Sequence, residues 1–407
     1  MQLEFLIGFS QAVIFILSIF LVGVAIYHLL VFLAAMIKME KVGSSKPLPT
    51  EFKTVSLIIP MRDEFSALSQ LIKSLEELDY PAEFFEVIFV APSESKHILE
   101  EYLSRLSEKK IRTKLVVDEG NGKPAALNRG LTVAEGEIVG IFDVDSVLSV
   151  DILKNVSKSF SEKNSLAAQG IARSYNSDYN ILSKLASLEQ VIYLKIFLQP
   201  RSFLNLFIPS TGSCFFVKKD LLLKLGGWRD DLLAEDFDLS LRIHDEKIKI
   251  KLDQNIYCWQ ETPSRLKDYF IQRLRWFRGF IQLLPSNLHR LTTPEGIDIF
   301  LLLLGPLVLC SSLLVFMYVT LTGFILPSFL GFLASLLAIL TPISFMCLTI
   351  RSKTSKMNLI LALLGIAAYW MVESIIATIA ILTALVRLKV RWIRTPKTGI
   401  AQASNIK

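Results

Sequence analysis

The 407 residues carry 44 Lys and Arg against 38 Asp and Glu, a net charge of +6, with 52% of positions hydrophobic and a mean hydropathy of +0.47. So apolar a chain is not an ordinary soluble domain, because lipid must solvate part of it. The modest charge, with its basic residues crowded beside the apolar runs, speaks against nucleic acid as a partner and fits a positively charged cytoplasmic flank.

Residues 3 to 37 are apolar almost throughout, with Glu4, Gln11 and His28 the main interruptions. This stretch exceeds the h-region of a cleaved signal and suffices for a transmembrane helix, which needs roughly 20 residues. Lys38, Lys41 and Lys46 follow, which puts the next segment in the cytoplasm, and Pro47 and Pro49 stiffen the linker. From Val55 to about Arg290 strand and helix patterns alternate. Strands are expected at 54–60, 84–91 and 113–118, and helices at 67–78, 97–110 and 123–134. Alternation of this kind predicts a mostly parallel sheet with helices on both faces. Beyond Leu291 the chain returns to lipid, with spans expected at 299–325 and 326–349 around Pro327 and a further apolar run at 357–386. A single crossing by that last run would put Arg387, Lys389, Arg391, Arg394 and Lys397 outside, against the positive-inside rule. Either the run turns back near Trp370 and Glu373 or the rule fails here. The division is therefore 1–38, a membrane helix; 39–290, a cytoplasmic domain ending in an interface helix; and 291–407, membrane helices and a basic tail. Cys214, Cys258, Cys310 and Cys347 lie far apart with no C-x-x-C, so neither a disulfide framework nor a zinc site follows.

The chemistry concentrates in EIVGIFDVDSVL, residues 137–148. A buried strand ending in acids at i and i+2 delivers Asp143 and Asp145 side by side, with Val144 pointing back into protein. Two convergent carboxylates suit Mg²⁺ or Mn²⁺, which keeps waters and takes further ligands from substrate phosphates. A solvated pair in a turn is the bland alternative. In LAEDFDLSLRI, residues 233–243, Glu235 and Asp236 precede a helical pattern. An acid there either caps the helix or serves as a general base with its pKa raised by burial. SRLKDYFIQRLRWFRGFIQLLPSNL, residues 264–288, is basic, aromatic and amphipathic, as a helix in the membrane interface would be. Its Arg273, Arg275 and Arg278 also suit a diphosphate, and Trp276 a sugar ring. Glu373, an acid inside an apolar run, is either functional or packed against a partner.

The order of SLIIPMRDE, GNGKPAALNRG, FDVDS, QGIARSYN, STGSCFFVKKDLLLKLGGW, AEDFD and QRLRWFRG resembles that in membrane-bound family 2 glycosyltransferases, in the branch of the cellulose, chitin, hyaluronan and poly-N-acetylglucosamine synthases. The resemblance covers about residues 55–285, and WIRTPK (392–397) looks like a post-membrane signature of bacterial and archaeal members. It implies a GT-A-like α/β fold joined to a helical membrane region, in an integral protein of the cell membrane. By the same resemblance Pro60 and Glu64 lie beside the nucleotide base, Lys123 approaches the donor phosphates, and Asp143 and Asp145 hold nucleotide and metal. Asp236 matches the base that deprotonates the acceptor, with Glu235 and Ser213 lining the acceptor pocket. Gln272, Arg275 and Trp276 match Q-x-x-R-W, with arginine near the leaving diphosphate and glutamine and tryptophan at the acceptor. The implied partners are a nucleotide sugar, with UDP as its expected carrier, and a growing glycan or a lipid. One departure stands out: Ala91 and Pro92 replace the acidic pair that usually ends the second strand and helps hold uracil, so either Glu94 or Asp118 substitutes or the donor base is not uracil.

Overall fold

The computed structural model describes residues 2–39, 51–120, 122–162, 165–322 and 359–388. They form two compact units, one from Gly43–Val191 and Phe207–Tyr269, the other from Met1–Val42, Ile192–Leu206 and Phe270–Ile393. The second unit thus takes in residues 192–206 and 270–290, which composition alone groups with the soluble domain. In chain order the elements begin with α1 (Gln2–Met39), β1 (Val55–Pro60), α2 (Phe65–Glu76), β2 (Phe85–Ala91), α3 (Lys96–Glu108), β3 (Arg112–Val117) and α4 (Lys123–Val133). Next come β4 (Ile138–Ile141), β5 (Val147–Leu148), α5 (Ile152–Ser161), β6 (Ala167–Ser174), α6 (Ile181–Ile192) and α7 (Gln199–Leu204). They are followed by β7 (Phe215–Lys218), α8 (Lys219–Lys224), α9 (Glu235–Asp245), β8 (Ile250–Gln260), α10 (Leu266–Leu283), α11 (Pro294–Leu303) and α12 (Gly305–Thr322). The last described helix is α13 (Leu359–Leu385).

The α/β unit is built on an eight-stranded sheet of order β3-β2-β1-β4-β7-β6-β8-β5. Its first half is parallel, with Ile58 of β1 opposite Ile88 of β2 and Ile141 of β4. Strand β7 runs antiparallel to both β4 and β6, β8 is parallel to β6, and β5 is antiparallel to β8. The parallel half follows from near-continuous apolar runs such as VSLIIP and FEVIFVA, which are buried on both faces. After β1 the chain winds outward through β2 and β3, then returns to the other side of β1 as β4. Such a reversal opens a crevice at the carboxyl ends of the two central strands, where α/β sheets bind ligands. Gly140 is required in β4, because a Cβ there would lie 2.6 Å from the Phe216 ring.

The opposite end of the sheet is closed by a buried acid. Glu86 accepts from the Ser56 hydroxyl at 2.6 Å and the Glu135 amide at 2.6 Å, and pairs with Lys114 at 2.9 Å. Ser56 Oγ in turn accepts from the Gly136 amide at 2.8 Å, so β1, β2 and the entry to β4 share one network.

In the helical unit three stretches are long and apolar enough to cross a membrane: Ile7–Ile37, Gly305–Thr322 and Ala367–Leu385. The last lies within α13, one continuous helix of 27 residues, so of the two alternatives above the turn near Trp370 and Glu373 is not formed. The reason is local: the run holds no proline, and its one glycine is Gly365. The span expected at 326–349 and the WIRTPK signature lie outside the described residues. Residues 192–206 enter this unit as a π-helical stretch, Tyr193–Leu198, continued by α7. Arg201 is fully buried there and donates to Asp298 Oδ1 at 2.8 Å, which also accepts from the Tyr27 hydroxyl at 2.7 Å. One ion pair therefore ties α7, α11 and α1 together in apolar surroundings, where an unpaired charge would be costly.

Burial pushes the Glu86 pKa up, but Ser56, the Glu135 amide and Lys114 outweigh it and hold it below the usual carboxylate range. Its contribution is therefore complete above that range and is lost as pH falls through the depressed value. Glu86→Gln is expected to cost about 1–3 kcal/mol at neutral pH and to flatten the acid limb of stability. Thermal midpoints of the full chain in detergent against pH check this.

Candidate active site

The crevice is walled first by the loop after β1. Glu64 Oε2 accepts from the Arg62 amide at 2.9 Å, and the Arg62 carbonyl accepts from Ser95 Oγ at 3.0 Å. Both bonds fix the turn that follows Pro60. The Arg62 guanidinium lies over Gly120, whose φ of +87° and lack of a Cβ permit the approach. Beside it the Asp118 amide donates to the Ala91 carbonyl at 3.0 Å, and Glu119 rather than Glu94 accepts from the Ser93 amide at 3.3 Å.

Strand β4 stops at Ile141, earlier than its apolar run suggests, so Asp143 and Asp145 stand on the turn beyond it with Val144 buried between them. Asp143 Oδ1 pairs with Lys123 Nζ at 2.5 Å, and Oδ2 accepts from Gln260 Nε2 at 3.3 Å. Asp145 is 2% exposed, and its Oδ2 accepts from the Glu261 amide at 3.0 Å. The neighbouring Tyr175 hydroxyl is held well above its ordinary pKa by burial, then by Asp145 and Glu261, so it stays protonated. Both carboxylates thus face the same dipeptide at the end of β8. Among the described residues no group of three or more His, Cys, Asp and Glu is arranged to hold an ion. Two carboxylates without a third ligand fit Mg²⁺ or Mn²⁺ that completes its shell from water and phosphates, and do not fit a closed structural site.

Lys123, the first residue of α4, also donates to the Gly212 carbonyl at 2.7 Å. Gly212 has φ +78°, and a Cβ on it would lie 2.9 Å from Asp236 Oδ2. A short chain of contacts therefore runs from Asp143 through Lys123 and Gly212 to Asp236. Burial works to lower the Lys123 pKa, but Asp143, Glu235 and Asp236 outweigh it and hold the ammonium above the ordinary lysine value. Asp236 Oδ1 accepts from the Phe237 amide at 2.8 Å in the first turn of α9, where the helix dipole stabilises negative charge. The residue before that helix is Ala234, so neither Glu235 nor Asp236 is the capping residue. A small cavity lined by Leu127, Ile141, Ser210, Gly212, Phe215, Trp228, Glu235 and Asp236 opens beside the acids. Ser213 Oγ accepts from the Asp143 amide at 3.3 Å and from Gln260 at 2.8 Å.

Helix α10 carries Gln272, Arg275 and Trp276 in the helical unit. There the Arg273 guanidinium lies 4.2 Å over the Trp276 ring and its Nε lies 3.1 Å from Glu373 of α13. Arg278 donates to the Leu388 carbonyl at 2.7 Å. Two of the three arginines offered above for a diphosphate are therefore engaged by the last described helix and the residues that follow it. Glu373 is a packed acid with a partner.

The sequence profile described as glycosyl transferase family group 2 matches residues 138–390, more than half of the chain. The chain belongs to that family. A beta-monoglucosyldiacylglycerol synthase of Nostoc sp. is 28% identical over 231 residues, 56% of this chain and 49% of that protein. A poly-beta-1,6-N-acetyl-D-glucosamine synthase of Staphylococcus epidermidis is 25% identical over 251 residues, 61% of this chain and 60% of that one. The chain thus spans about half the length of the curated relatives it matches. A mannosyltransferase from Pyrobaculum calidifontis, solved with GDP-Man and Mn²⁺, superposes with a TM-score of 0.65 at 19% identity, covering 92% of this chain and 100% of that one. The GT-A-like fold class expected from the motif order stands.

Within this family member several neutral residues shape the cleft that motif reasoning passed over. Gln169, fully buried in β6, accepts from the Thr211 amide at 3.0 Å and donates to the Ser213 carbonyl at 3.1 Å, which fixes the loop bearing Gly212. Ser240 accepts from the Ser210 amide at 2.7 Å and donates to the Asp236 carbonyl at 2.8 Å. Asn128 donates to the Trp228 carbonyl at 2.7 Å and accepts from its amide at 2.9 Å, which sets the cavity wall. QGIARSYN signalled Gln169 as part of a motif, whereas Ser240 and Gln260 carried no signal of their own. Gly212→Ala combines a left-handed backbone with a contact on Asp236, and is expected to cut turnover at least tenfold with a cost in stability of about 1–2 kcal/mol. Turnover and melting of the purified variant, measured together, test this.

Proposed function

We propose that this family member is an inverting glycosyltransferase that moves a sugar from a nucleotide-sugar donor to an acceptor hydroxyl at the cytoplasmic membrane face, extending a β-linked polysaccharide. The observation that carries the reading is the contact chain from Asp143 through Lys123 and Gly212 to Asp236. It joins a carboxylate suited to metal and phosphate with a carboxylate suited to a proton. Displacing a nucleoside diphosphate from an anomeric carbon needs both, one to stabilise the departing charge and one to deprotonate the incoming hydroxyl.

In this reading Asp236 takes the proton, with Glu235 and Ser213 at the acceptor. Asp143 and Asp145 hold Mg²⁺ or Mn²⁺, which when bound supplies Lewis-acid stabilisation of the leaving diphosphate. Lys123 steadies the same phosphates, and Pro60 and Glu64 border the base. Arg275 is assigned to the leaving group, and Gln272 and Trp276 to the acceptor, on the motif resemblance. A one-step displacement inverts the anomeric centre, so an α-linked donor gives a β-linked product. The carrier is read as UDP on the same resemblance. The GDP-Man held by the Pyrobaculum calidifontis enzyme supports the other carrier, as do Ala91 and Pro92 in place of acids.

A lipid acceptor is the second reading, favoured by the Nostoc relative's name and by there being three candidate spans among the described residues. Membranes holding the protein are expected to transfer label from a nucleotide sugar in the presence of Mn²⁺. Asp236→Asn should lower the rate by about 10²–10⁴-fold while nucleotide still binds. Equal turnover in the variant would remove Asp236 as the base. Label in solvent-extractable lipid rather than insoluble glycan would select the second reading.

A further inference from the structure

We propose that Gln260 is a positioning residue that holds the Asp143 carboxylate for the incoming ion, and that Lys123 is the resident cation which that ion displaces; this rests on the reading of Asp143 and Asp145 as metal ligands. The sheet itself delivers Gln260. Strands β5 and β8 pair antiparallel with Val147 opposite Trp259 and Leu148 opposite Cys258. Continuing that register by one residue sets Gln260 opposite Ser146, on the turn that carries the two acids. Its Nε2 lies 3.0 Å from Ser146 Oγ, 2.8 Å from Ser213 Oγ and 3.3 Å from Asp143 Oδ2. Because Ser213 Oγ also accepts from the Asp143 main-chain amide at 3.3 Å, Gln260 and Ser213 together hold residue 143 at both its backbone and its carboxylate.

The two donors on Asp143 differ in kind. Gln260 is neutral and occupies Oδ2, so it orients the carboxylate without competing in charge with a divalent ion. Lys123 is cationic and occupies Oδ1 at 2.5 Å, where its charge opposes the arrival of another cation. Its second bond, to the Gly212 carbonyl at 2.7 Å, lets it leave Asp143 and remain in the cleft beside the phosphates that accompany the ion. Removing one donor or the other must therefore change ion affinity in opposite directions. A residue that served only to pack the end of β8 would produce no such split.

The test titrates Mn²⁺ alone into the purified full chain in detergent, without nucleotide, and reads free ion by electron paramagnetic resonance. Gln260→Leu is expected to weaken binding about tenfold or more, in the range found when partners of metal ligands are removed, with its melting temperature near that of the wild type. Gln260→Asn, which keeps the amide and shortens its reach, should weaken binding in the same direction and serves if the leucine variant unfolds. Lys123→Met is expected to bind Mn²⁺ several-fold more tightly than the wild type, or to bind measurably where the wild type does not. Wild-type affinity in Gln260→Leu and Gln260→Asn, or no gain in Lys123→Met, overturns the proposal. Asp145→Asn separates the levels: if it also leaves Mn²⁺ binding unchanged, the metal reading of the site falls, whereas loss in Asp145→Asn alone defeats only the roles of Gln260 and Lys123.

Discussion

Four carboxylates, Asp143, Asp145, Glu235 and Asp236, border one cleft, and like charges so placed must be separated by donors. Lys123 performs this task from the start of α4, with its ammonium on Asp143 and on the Gly212 carbonyl. Fixed dipoles meet part of the remaining charge: the Glu261 amide on Asp145 and the first turn of α9 on Asp236. Much of the sheet's second half serves this balance. Strand β8 brings Gln260 and Glu261 to the acids, Ser213 sits two residues before β7, and β6 supplies the glutamine that ties the Gly212 loop down.

The parallel half of the sheet was legible because β1, β2 and β4 are continuous apolar runs buried on both faces, with β3 the partly exposed edge, and the helices between them repeat at 3.6 residues. The acids were legible for a different reason, since charge at the end of an apolar strand is conspicuous against its background. What could not be read is the mixed half. Strand β5 is two residues long, and β8 has an interrupted burial pattern with exposed residues at its centre, so neither announces itself by period. Gln260 and Ser240 are neutral residues whose importance lies only in what reaches them from distant parts of the chain. No local pattern encodes that.

The helical unit follows a related logic under stronger constraint. Apolar surroundings punish an unpaired charge, so charges within it occur as partners: Arg201 with Asp298, and Arg273 with Glu373. The sequence flagged Glu373 as an anomaly without naming its partner, because Arg273 lies about a hundred residues earlier and on a helix that composition assigns to the interface. The pair also explains why α13 does not need to turn back at Glu373. A charge that would have to leave the apolar layer if isolated can stay where an arginine meets it.

Why residue 260 is a glutamine and not a glutamate follows from the same balance. A third carboxylate beside Asp143 and Asp145 would complete a hard-oxygen site, and such a site would retain a divalent ion with or without substrate. On the proposed function, an amide orients Asp143 yet adds no charge, and phosphate oxygens arriving with the donor would raise the affinity of the two-carboxylate site. Under the same reading that site binds its ion alone, and more tightly once those phosphates are in place, which suits the discharge of a nucleoside diphosphate after transfer.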